Sequence, residues 1–450
     1  MNRLVLSKRY YSENLKIAFP VILSLAGQSI VQIIDTIMVG RLGTVPLAAV
    51  SLSCSIITNI TVIGIGIAMG LTPLTGVEFV RNKYDEASYL FHNSLFLNLI
   101  VALSSCAILL IINPMLAYIG QPSEVLACLD GYYYWVSFSI IPFLIFLSFK
   151  QFLEGFGNTL NAMVITIFCN ILNVILNFGL IYGYMGFPEL GATGAGVATF
   201  ISRLMMPIIF VIQTAISKKY QTYIKSFSLF NISLSRQWKI LKVGFPIAAQ
   251  MTLEIFSLTA ITIMMGWFGA ETLAANQIVQ TMIGFSFMIS NGVASASTIL
   301  VSHDIGRKNV TEIKKHTLAG VEIGIIIMAM FAILYTFGGE YIASIFTSQK
   351  EVIIITAQLF LVVALFEIFD GIQITTLGAL RGLAEVKQPM YYAFISYIII
   401  AIPMAYIIAF VFDFGSQGVL AGFSFGLISA GILFIRRFIK VTNKLQNSVL

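Results

Sequence analysis

Long apolar runs separated by short polar breaks repeat along the whole chain. A helix needs about 20 apolar residues to cross a hydrocarbon core of about 30 Å, and each run reaches roughly that length. The ten-residue alternation of a membrane β-barrel does not occur, so we predict helices. The predicted spans are 14–39, 47–76, 92–113, 130–150, 162–184, 191–216, 241–268, 273–302, 317–337, 353–378, 390–411 and 417–438.

Composition agrees with a membrane protein that crosses the bilayer many times. Of the 450 residues, 58% are hydrophobic and only 10% are charged, which excludes a soluble domain of this size. All Lys and Arg residues except Arg41, Arg203 and Lys350 fall on alternate loops, beginning with the N-terminus. By the positive-inside rule we expect both termini in the cytoplasm and twelve spans. Because the basic residues are distributed over the loops on one side of the membrane and are not clustered on one face, the net charge of +6 does not indicate nucleic-acid binding.

The second half of the chain repeats the first half at a constant spacing over its first part. The matched positions include Phe19-Pro20 with Phe245-Pro246, Gly43 with Gly269, and Arg81 with Arg307. We therefore predict two pseudo-symmetric six-helix bundles, 1–216 and 241–450, joined by a cytoplasmic linker at 217–240. Since six is even, both halves enter the membrane in the same sense, and we expect a central cleft between them.

The first predicted span places a carboxylate, Asp35, deep in an apolar run. Helical spacing puts Gln28, Gln32 and Asp35 close to one face. An ionisable group at membrane depth is costly and indicates function, although a hydrogen-bonded structural carboxyl is the alternative. In the second half, Glu254 occupies the place of Gln28, whereas Ile261 occupies that of Asp35. The fold repeats but the acidic chemistry does not, which favours function over scaffold.

Two further carboxylates, Glu367 and Asp370, lie one helical turn apart in the tenth span. In a low-dielectric site, two carboxyl groups this close are not ionised at the same time unless a cation lies between them. We therefore expect a shared proton or a bound hard cation, with Glu254, Glu367 and Asp370 as candidate Na⁺ ligands. A neutral acid pair that bonds neighbouring helices is the structural alternative.

Neutral polar residues are predicted to line the rest of a substrate cavity. The set consists of Gln28, Gln32, Asn173, Asn177, Gln250 and Gln280. Asn and Gln also hold membrane helices together, so packing contacts remain open for some of them. Arg203 lies within a span, where it either pairs with an acid or extends towards the membrane surface. The three histidines lie near span ends and are expected to be structural or interfacial.

Several runs resemble the multidrug and toxic compound extrusion family, in particular its NorM-like bacterial branch. They are the doubled Phe-Pro start, IDTIMVGRLGTVPLAAVS, PELGATGAGVAT at 188–199 and DGIQITTLGALRG at 370–382, and the likeness covers essentially the whole chain. The resemblance implies an exporter that alternates between inward and outward states, driven by Na⁺ or H⁺ entry. It assigns coupling roles to Asp35, Glu254 and Asp370, and a cavity role to Asn173 and Asn177.

One position departs from that family pattern. Phe366 stands where NorM-like relatives carry a tyrosine, and Glu367 follows it, so the coupling ion stays open. We place Phe366 in the predicted cavity and Glu367 among the coupling residues.

We predict a secondary active transporter that exports organic, mainly cationic, compounds by antiport with Na⁺ or H⁺. We expect no enzymatic activity, no cofactor and a monomer in the bacterial cytoplasmic membrane. One alternative is a flippase for a lipid-linked or other amphiphilic substrate. A membrane-embedded hydrolase is less well supported, because no GxGD or HExxH run is present and the acids of the tenth span lie one turn apart on a single helix. A channel is also less well supported, because the charge pattern and the cleft suggested by the repeat favour an exporter.

Overall fold

The computed structural model describes residues 6–119, 122–216 and 232–449, and all of its regular structure is helical. Twelve helices in these ranges are long and apolar enough to cross a membrane, which confirms the predicted fold class. They are α1 Lys8–Gly40, α2 Thr44–Val80, α3 Tyr84–Tyr118, α4 Ser123–Gly155, α5 Thr159–Tyr182, α6 Ala192–Ile216, α7 Leu234–Gly266, α8 Ala270–Gly306, α9 Val310–Phe346, α10 Lys350–Gly382, α11 Lys387–Val411 and α12 Gly415–Asn447.

Most helices extend beyond the apolar runs that predicted them. Helix α4 spans Ser123–Gly155 instead of 130–150, because its polar ends continue the helix after the hydrophobic signal has stopped. The assignment of Lys150 and Arg381 to loops is therefore wrong. Lys150 is buried near the end of α4, with its Nζ 3.8 Å from Glu154 Oε1, and Arg381 is buried in the last turn of α10.

The internal repeat is visible in the turns between helices. Gly43 and Gly269, which the repeat matches, have φ values of 127° and 109° immediately before α2 and α8. Asn82 and Lys308, another matched pair, have φ values of 59° and 57° before α3 and α9. Positive φ is uncommon outside glycine, so its recurrence at matched positions shows the same turns built twice.

The helices divide into two compact units whose boundaries fall inside α1 and α7. The N unit is Leu23–Ala248, and the C unit is Met1–Ile22 together with Ala249–Leu450. The first part of α1 thus belongs with the second half of the chain, and the first part of α7 belongs with the first half. Residues 217–231 of the predicted linker lie outside the described residues, and the predicted domain boundaries stay predictions.

Matched glycines permit these exchanged helix starts to pack closely. In the N unit, a Cβ on Gly66 of α2 would lie 2.3 Å from the Cα of Ala248 on α7. In the C unit, a Cβ on Gly292 of α8 would lie 3.0 Å from the backbone nitrogen of Ile22 on α1. Both pairs are equivalent under the repeat, so one packing device serves both units.

Each unit has its own aromatic and aliphatic core. Phe91 stacks on Phe152 in the N unit with ring centroids 4.5 Å apart, and Tyr335 stacks on Phe360 in the C unit at 4.9 Å. These cores fix the helices that carry the polar sites.

Candidate coupling and substrate sites

The carboxylate of Asp35 begins a chain of side-chain hydrogen bonds inside the N unit. Asn177 Nδ2 donates to Asp35 Oδ1 at 2.5 Å and to Asn173 Oδ1 at 3.0 Å, and Asn173 Nδ2 donates to Ser202 Oγ at 3.2 Å. Both N–H groups of the Asn177 amide are used, which fixes its orientation. We call Asp35, Asn173, Asn177 and Ser202 the Asp35 site.

Helical spacing explains why α5 supplies these amides. Thr166, Asn170, Asn173 and Asn177 recur at intervals of three or four residues, and all four are buried. Helix α1 approaches this face closely, since a Cβ on Gly27 would lie 3.3 Å from Asn170 Nδ2. The polar stripe of α5 therefore faces the interior of the N unit, next to α1.

Arg203 is a cation in the electrostatic neighbourhood of Asp35. Its Nη1 donates to Ser139 Oγ at 2.9 Å, and its guanidinium carbon lies 4.8 Å from the ring centroid of Phe143. It also interacts electrostatically with Asp35. When Asp35 is ionised, the two side chains bring opposite charges to the same region. The pairing of Arg203 with an acid therefore stays a prediction.

The predicted cavity glutamines lie on α1, the helix that carries Asp35. Gln28 is half-buried and Gln32 is exposed, so they occupy different environments on the same helix. Their predicted contribution to a cavity stays a prediction.

A second polar cluster lies in the C unit around Glu254 of α7. Gln250 Nε2 donates to Glu254 Oε2 at 2.9 Å, and Arg381 Nη2 donates to Gln250 Oε1 at 2.6 Å. Arg381 also interacts electrostatically with Glu254. Gln250 is thus bonded to both, and it aligns the guanidinium with the carboxylate. We call Gln250, Glu254, Asp370 and Arg381 the Glu254 site.

Asp370 and Glu367 are both buried on α10. Electrostatic interactions connect Asp370 with Glu367 and with Glu254, so the three predicted acids share one region of the C unit. The hydroxyl of Ser286 donates to Glu367 Oε1. Glu367 Oε2 is buried without a hydrogen-bond partner among the described residues. An unpaired carboxylate oxygen can accept a proton or a cation, and the coupling role of Glu367 stays a prediction.

The positions of the three acids of the C unit can be compared with their predicted role as sodium ligands. Within the described ranges, no group of three or more His, Cys, Asp or Glu side chains is close enough to hold a metal ion. Glu254, Glu367 and Asp370 are neighbours in charge but do not converge on one point in this structure. Their role as Na⁺ ligands stays a prediction.

The two remaining predicted cavity residues are less exposed than the prediction implies. Phe366 has 2% of its surface exposed and belongs to the apolar core of the C unit, where its ring lies 6.5 Å from that of Phe423. Gln280 is half-buried on α8. Their contact with a substrate stays a prediction.

Sequence reasoning missed Arg381 and Ser286. Arg381 lies three helical turns after Asp370 on α10, which places both on one face, and this spacing was the available signal. Ser286 contacts Glu367 from α8, a distant part of the chain, and no local pattern identifies that pairing.

Comparison with known proteins decides the family. The MatE family model matches residues 20–178 and 246–407. This chain belongs to the MatE family. The two matched segments correspond to the two halves of the repeat, which the sequence predicted from its own internal similarity.

Similar proteins cover this MatE-family chain almost completely. It is 28% identical to the multidrug resistance protein NorM of Vibrio vulnificus, across 95% of this chain and 94% of that protein. Its fold matches the eukaryotic MATE transporter AtDTX14, with a TM-score of 0.84, 18% identity and coverage of 98% and 99%. It also matches the Vibrio cholerae MATE transporter VcmN in its bent form, with a TM-score of 0.85, 20% identity and coverage of 97% and 98%. The predicted family and the prediction that the protein is not an enzyme are confirmed.

Proposed function

We propose that this MatE-family protein is a secondary active multidrug exporter that expels organic, mainly cationic, compounds in exchange for Na⁺ or H⁺. The observation that carries the proposal is the pair of acidic sites, one in each unit, in which Asp35 and Glu254 are partly buried and Glu367 and Asp370 are buried. Asp35 is bonded to an amide chain in the N unit, and Glu254, Asp370 and Glu367 lie together in the C unit. The NorM name of the Vibrio vulnificus relative supports drugs as the substrate class.

Exchange follows from competition for negative charge. A buried carboxylate is costly to keep ionised and is stabilised either by a proton, by a metal cation or by a cationic substrate. Because these ligands neutralise the same charge, binding of one weakens binding of another. A coupling ion that enters down its gradient then displaces the drug, provided that the site opens to the two sides of the membrane in turn.

Arg203 and Arg381 adjust this competition. Each interacts electrostatically with one acid, Arg203 with Asp35 and Arg381 with Glu254. When the proton, metal ion or drug has left, the arginine neutralises part of the negative charge of the nearby carboxylate. We propose that the empty sites are therefore close to neutral, so that no bare buried charge opposes the change of access.

We further propose that the protein works as a monomer in the bacterial cytoplasmic membrane, with both termini in the cytoplasm. The alternating distribution of Lys and Arg supports this orientation. The coupling residues are Asp35, Glu254, Glu367 and Asp370, and Asn173 and Asn177 hold Asp35 in place.

The test is ethidium efflux from proteoliposomes under a proton gradient or a Na⁺ gradient, imposed separately. The wild-type protein is compared with Asp35→Asn and Asp370→Asn. We expect one gradient to drive efflux and either substitution to reduce the rate at least tenfold. Glu340→Gln is the matched control, because Glu340 is an exposed carboxyl near the end of α9, and it should retain full efflux.

Three outcomes contradict the proposal in different ways. Full gradient-driven efflux by Asp35→Asn would remove Asp35 from the mechanism. Efflux that ignores both gradients would indicate passive conduction. Movement of a lipid-linked substrate without any ion-driven flux of organic cations would favour the flippase, in which Arg203 contacts the anionic group.

A further inference from the structure

A histidine between two carboxylates lies in the C unit, outside both acidic sites. The imidazole of His316, on α9, has 1% of its side-chain surface exposed. Its Nδ1 lies 2.6 Å from Asp304 Oδ2 on α8, and its Nε2 lies 2.8 Å from Glu13 Oε2 on α1. Two consecutive helices, α8 and α9, and the sequence-distant start of α1 therefore meet at one ring.

Proton counting restricts the state of this cluster. An ionised carboxylate only accepts hydrogen bonds, and a neutral imidazole has one N–H donor and one bare nitrogen. With both carboxylates ionised and the ring neutral, one short contact would place two acceptors against each other. Both contacts are satisfied only if the cluster holds one more proton, as an imidazolium or as a protonated carboxyl.

Other charged groups around the cluster are arranged on its outer side. Arg9 Nε lies 2.7 Å from Glu13 Oε1, and Arg307 Nη1 lies 3.7 Å from Asp304 Oδ1. These two exposed guanidinium groups favour the ionised forms of Glu13 and Asp304, which leave the cluster with one negative charge when His316 is an imidazolium. Glu13 is half-exposed, so the cluster reaches the protein surface on the side of α1.

The same face of α1 is held by further contacts. The amide of Asn14 donates to the carbonyl oxygen of His316 at 3.3 Å, and the Tyr10 ring packs edge-on against the imidazole at 5.1 Å. The Tyr10 hydroxyl donates to Glu312 at 2.8 Å, and Lys315 Nζ lies 5.4 Å from the Tyr10 ring centroid. The start of α1 is thus aligned on α9 at the height of the cluster.

We propose that Glu13, His316 and Asp304 form a proton-binding site, separate from the Asp35 and Glu254 sites, that holds its extra proton on the imidazole of His316 and clamps the start of α1 to α8 and α9 while this proton is bound. Loss of the proton turns one of the two short contacts into a repulsive one and weakens the clamp. Helix α1 also carries Asp35, so this site acts on a helix that the proposed transport cycle uses. Proton binding here is independent of whether the protein exports drugs.

The internal repeat argues against a scaffold role for this cluster. At the matched positions of the N unit, Glu78 replaces Asp304, Leu90 replaces His316 and Lys239 replaces Glu13. The fold forms the equivalent helix junction there without a titratable ring. The proton-binding group is therefore an addition to one unit.

The direct test is nitrogen NMR of ¹⁵N-histidine in the full-length protein in nanodiscs. The chain has three histidines, so His92→Gln with His303→Gln leaves His316 as the single signal source. At pH 7.5 we expect both ring nitrogens to show the protonated, imidazolium signature. Glu13→Gln on this background should convert most of the signal to the neutral form, because the ring loses one ionised partner.

Glu312→Gln is the matched control for Glu13→Gln. Glu312 is a neighbouring carboxyl that binds Tyr10 instead of His316, so this variant should keep the imidazolium signature. A neutral His316 at pH 7.5 would overturn the proposal. An imidazolium that persists unchanged in Glu13→Gln would also overturn it.

The clamp itself is tested by spin labels at positions 12 and 308 in a chain whose four native cysteines are replaced by alanine. Both positions are exposed, one on α1 and one in the turn before α9. We expect a narrow distance distribution at pH 6.5 and a distribution at least twice as broad at pH 9. His316→Gln should be broad at both pH values. An equally narrow distribution at both pH values in the parent chain would refute the clamp.

Discussion

The close approach of α2 and α7 predicts a large effect for a single methyl group. Gly66→Ala adds a Cβ that would lie 2.3 Å from the Cα and 2.5 Å from the backbone nitrogen of Ala248. Neither atom can turn away, because both belong to the backbone of α7. The helices must therefore separate within the N unit.

The magnitude follows from how far they must move. Ordinary contacts begin near 3.4 Å, so α7 has to retreat by about 1 Å along a buried surface. Overpacking of this kind costs about 1 to 3 kcal/mol. A unit of this size loses about 2 to 4 °C of melting temperature for each kcal/mol, so we expect Tm to fall by roughly 2 to 12 °C.

Two other glycines give a ranked comparison. At Gly292 the nearest atom is Cγ1 of Ile22, at 2.4 Å, which can rotate, so Gly292→Ala should lower Tm by less than Gly66→Ala. At Gly284, on the same helix as Gly292, nothing lies within 4 Å of the added Cβ. There, alanine should be neutral or stabilise by up to about 1 kcal/mol through helix propensity. Thermal unfolding in one detergent measures all three variants, and equal shifts for Gly66→Ala and Gly284→Ala would refute the reasoning.

Three further predictions concern buried polar groups. Lys150→Met should lower stability by about 3 to 5 kcal/mol because it leaves the Glu154 charge unpaired, and adding Glu154→Gln should restore most of the loss in a denaturant titration. Asn177→Ala removes a hydrogen bond to the Asp35 carboxylate, and this hydrogen bond contributes about 1.5 to 3 kcal/mol when the carboxylate is ionised. We expect ethidium affinity in equilibrium binding to change by about tenfold or more, and an unchanged Kd would contradict the link. Arg381→Gln removes the counter-charge of the Glu254 site, so ion-driven efflux should fall at least tenfold while the protein remains folded, and normal efflux would count against this role.

The sequence predicts the twelve helices well because hydrophobic length is a local property of the chain. It predicts helix ends poorly, since polar residues continue a helix beyond the apolar run, and this is why Lys150 and Arg381 were assigned to loops. The repeat is readable from matched glycines, of which Gly43 and Gly269 are examples. The exchange of helix starts between units is not readable, because it depends on contacts between distant segments.

The candidate sites also combine features that the sequence predicts with features that it does not predict. Periodicity identifies the polar face of α5, and it places Asn173 and Asn177 correctly on one buried side. Pairings between helices, such as Ser286 with Glu367, carry no local signal in a single sequence. The cluster around His316 joins α1 to α8 and α9, and the expectation that the histidines are structural or interfacial did not predict its two carboxylate partners.

The central claim is that drug and coupling ion exchange for one another, and the reverse reaction tests it most directly. Proteoliposomes are prepared without any ion gradient, an ethidium gradient is applied, and proton and Na⁺ fluxes are recorded. We expect ethidium movement to drive one ion in the opposite direction in the wild-type protein and in Glu340→Gln, with at least a tenfold smaller ion flux in Asp35→Asn and Asp370→Asn. Ethidium movement that drives neither ion in the wild-type protein would contradict antiport.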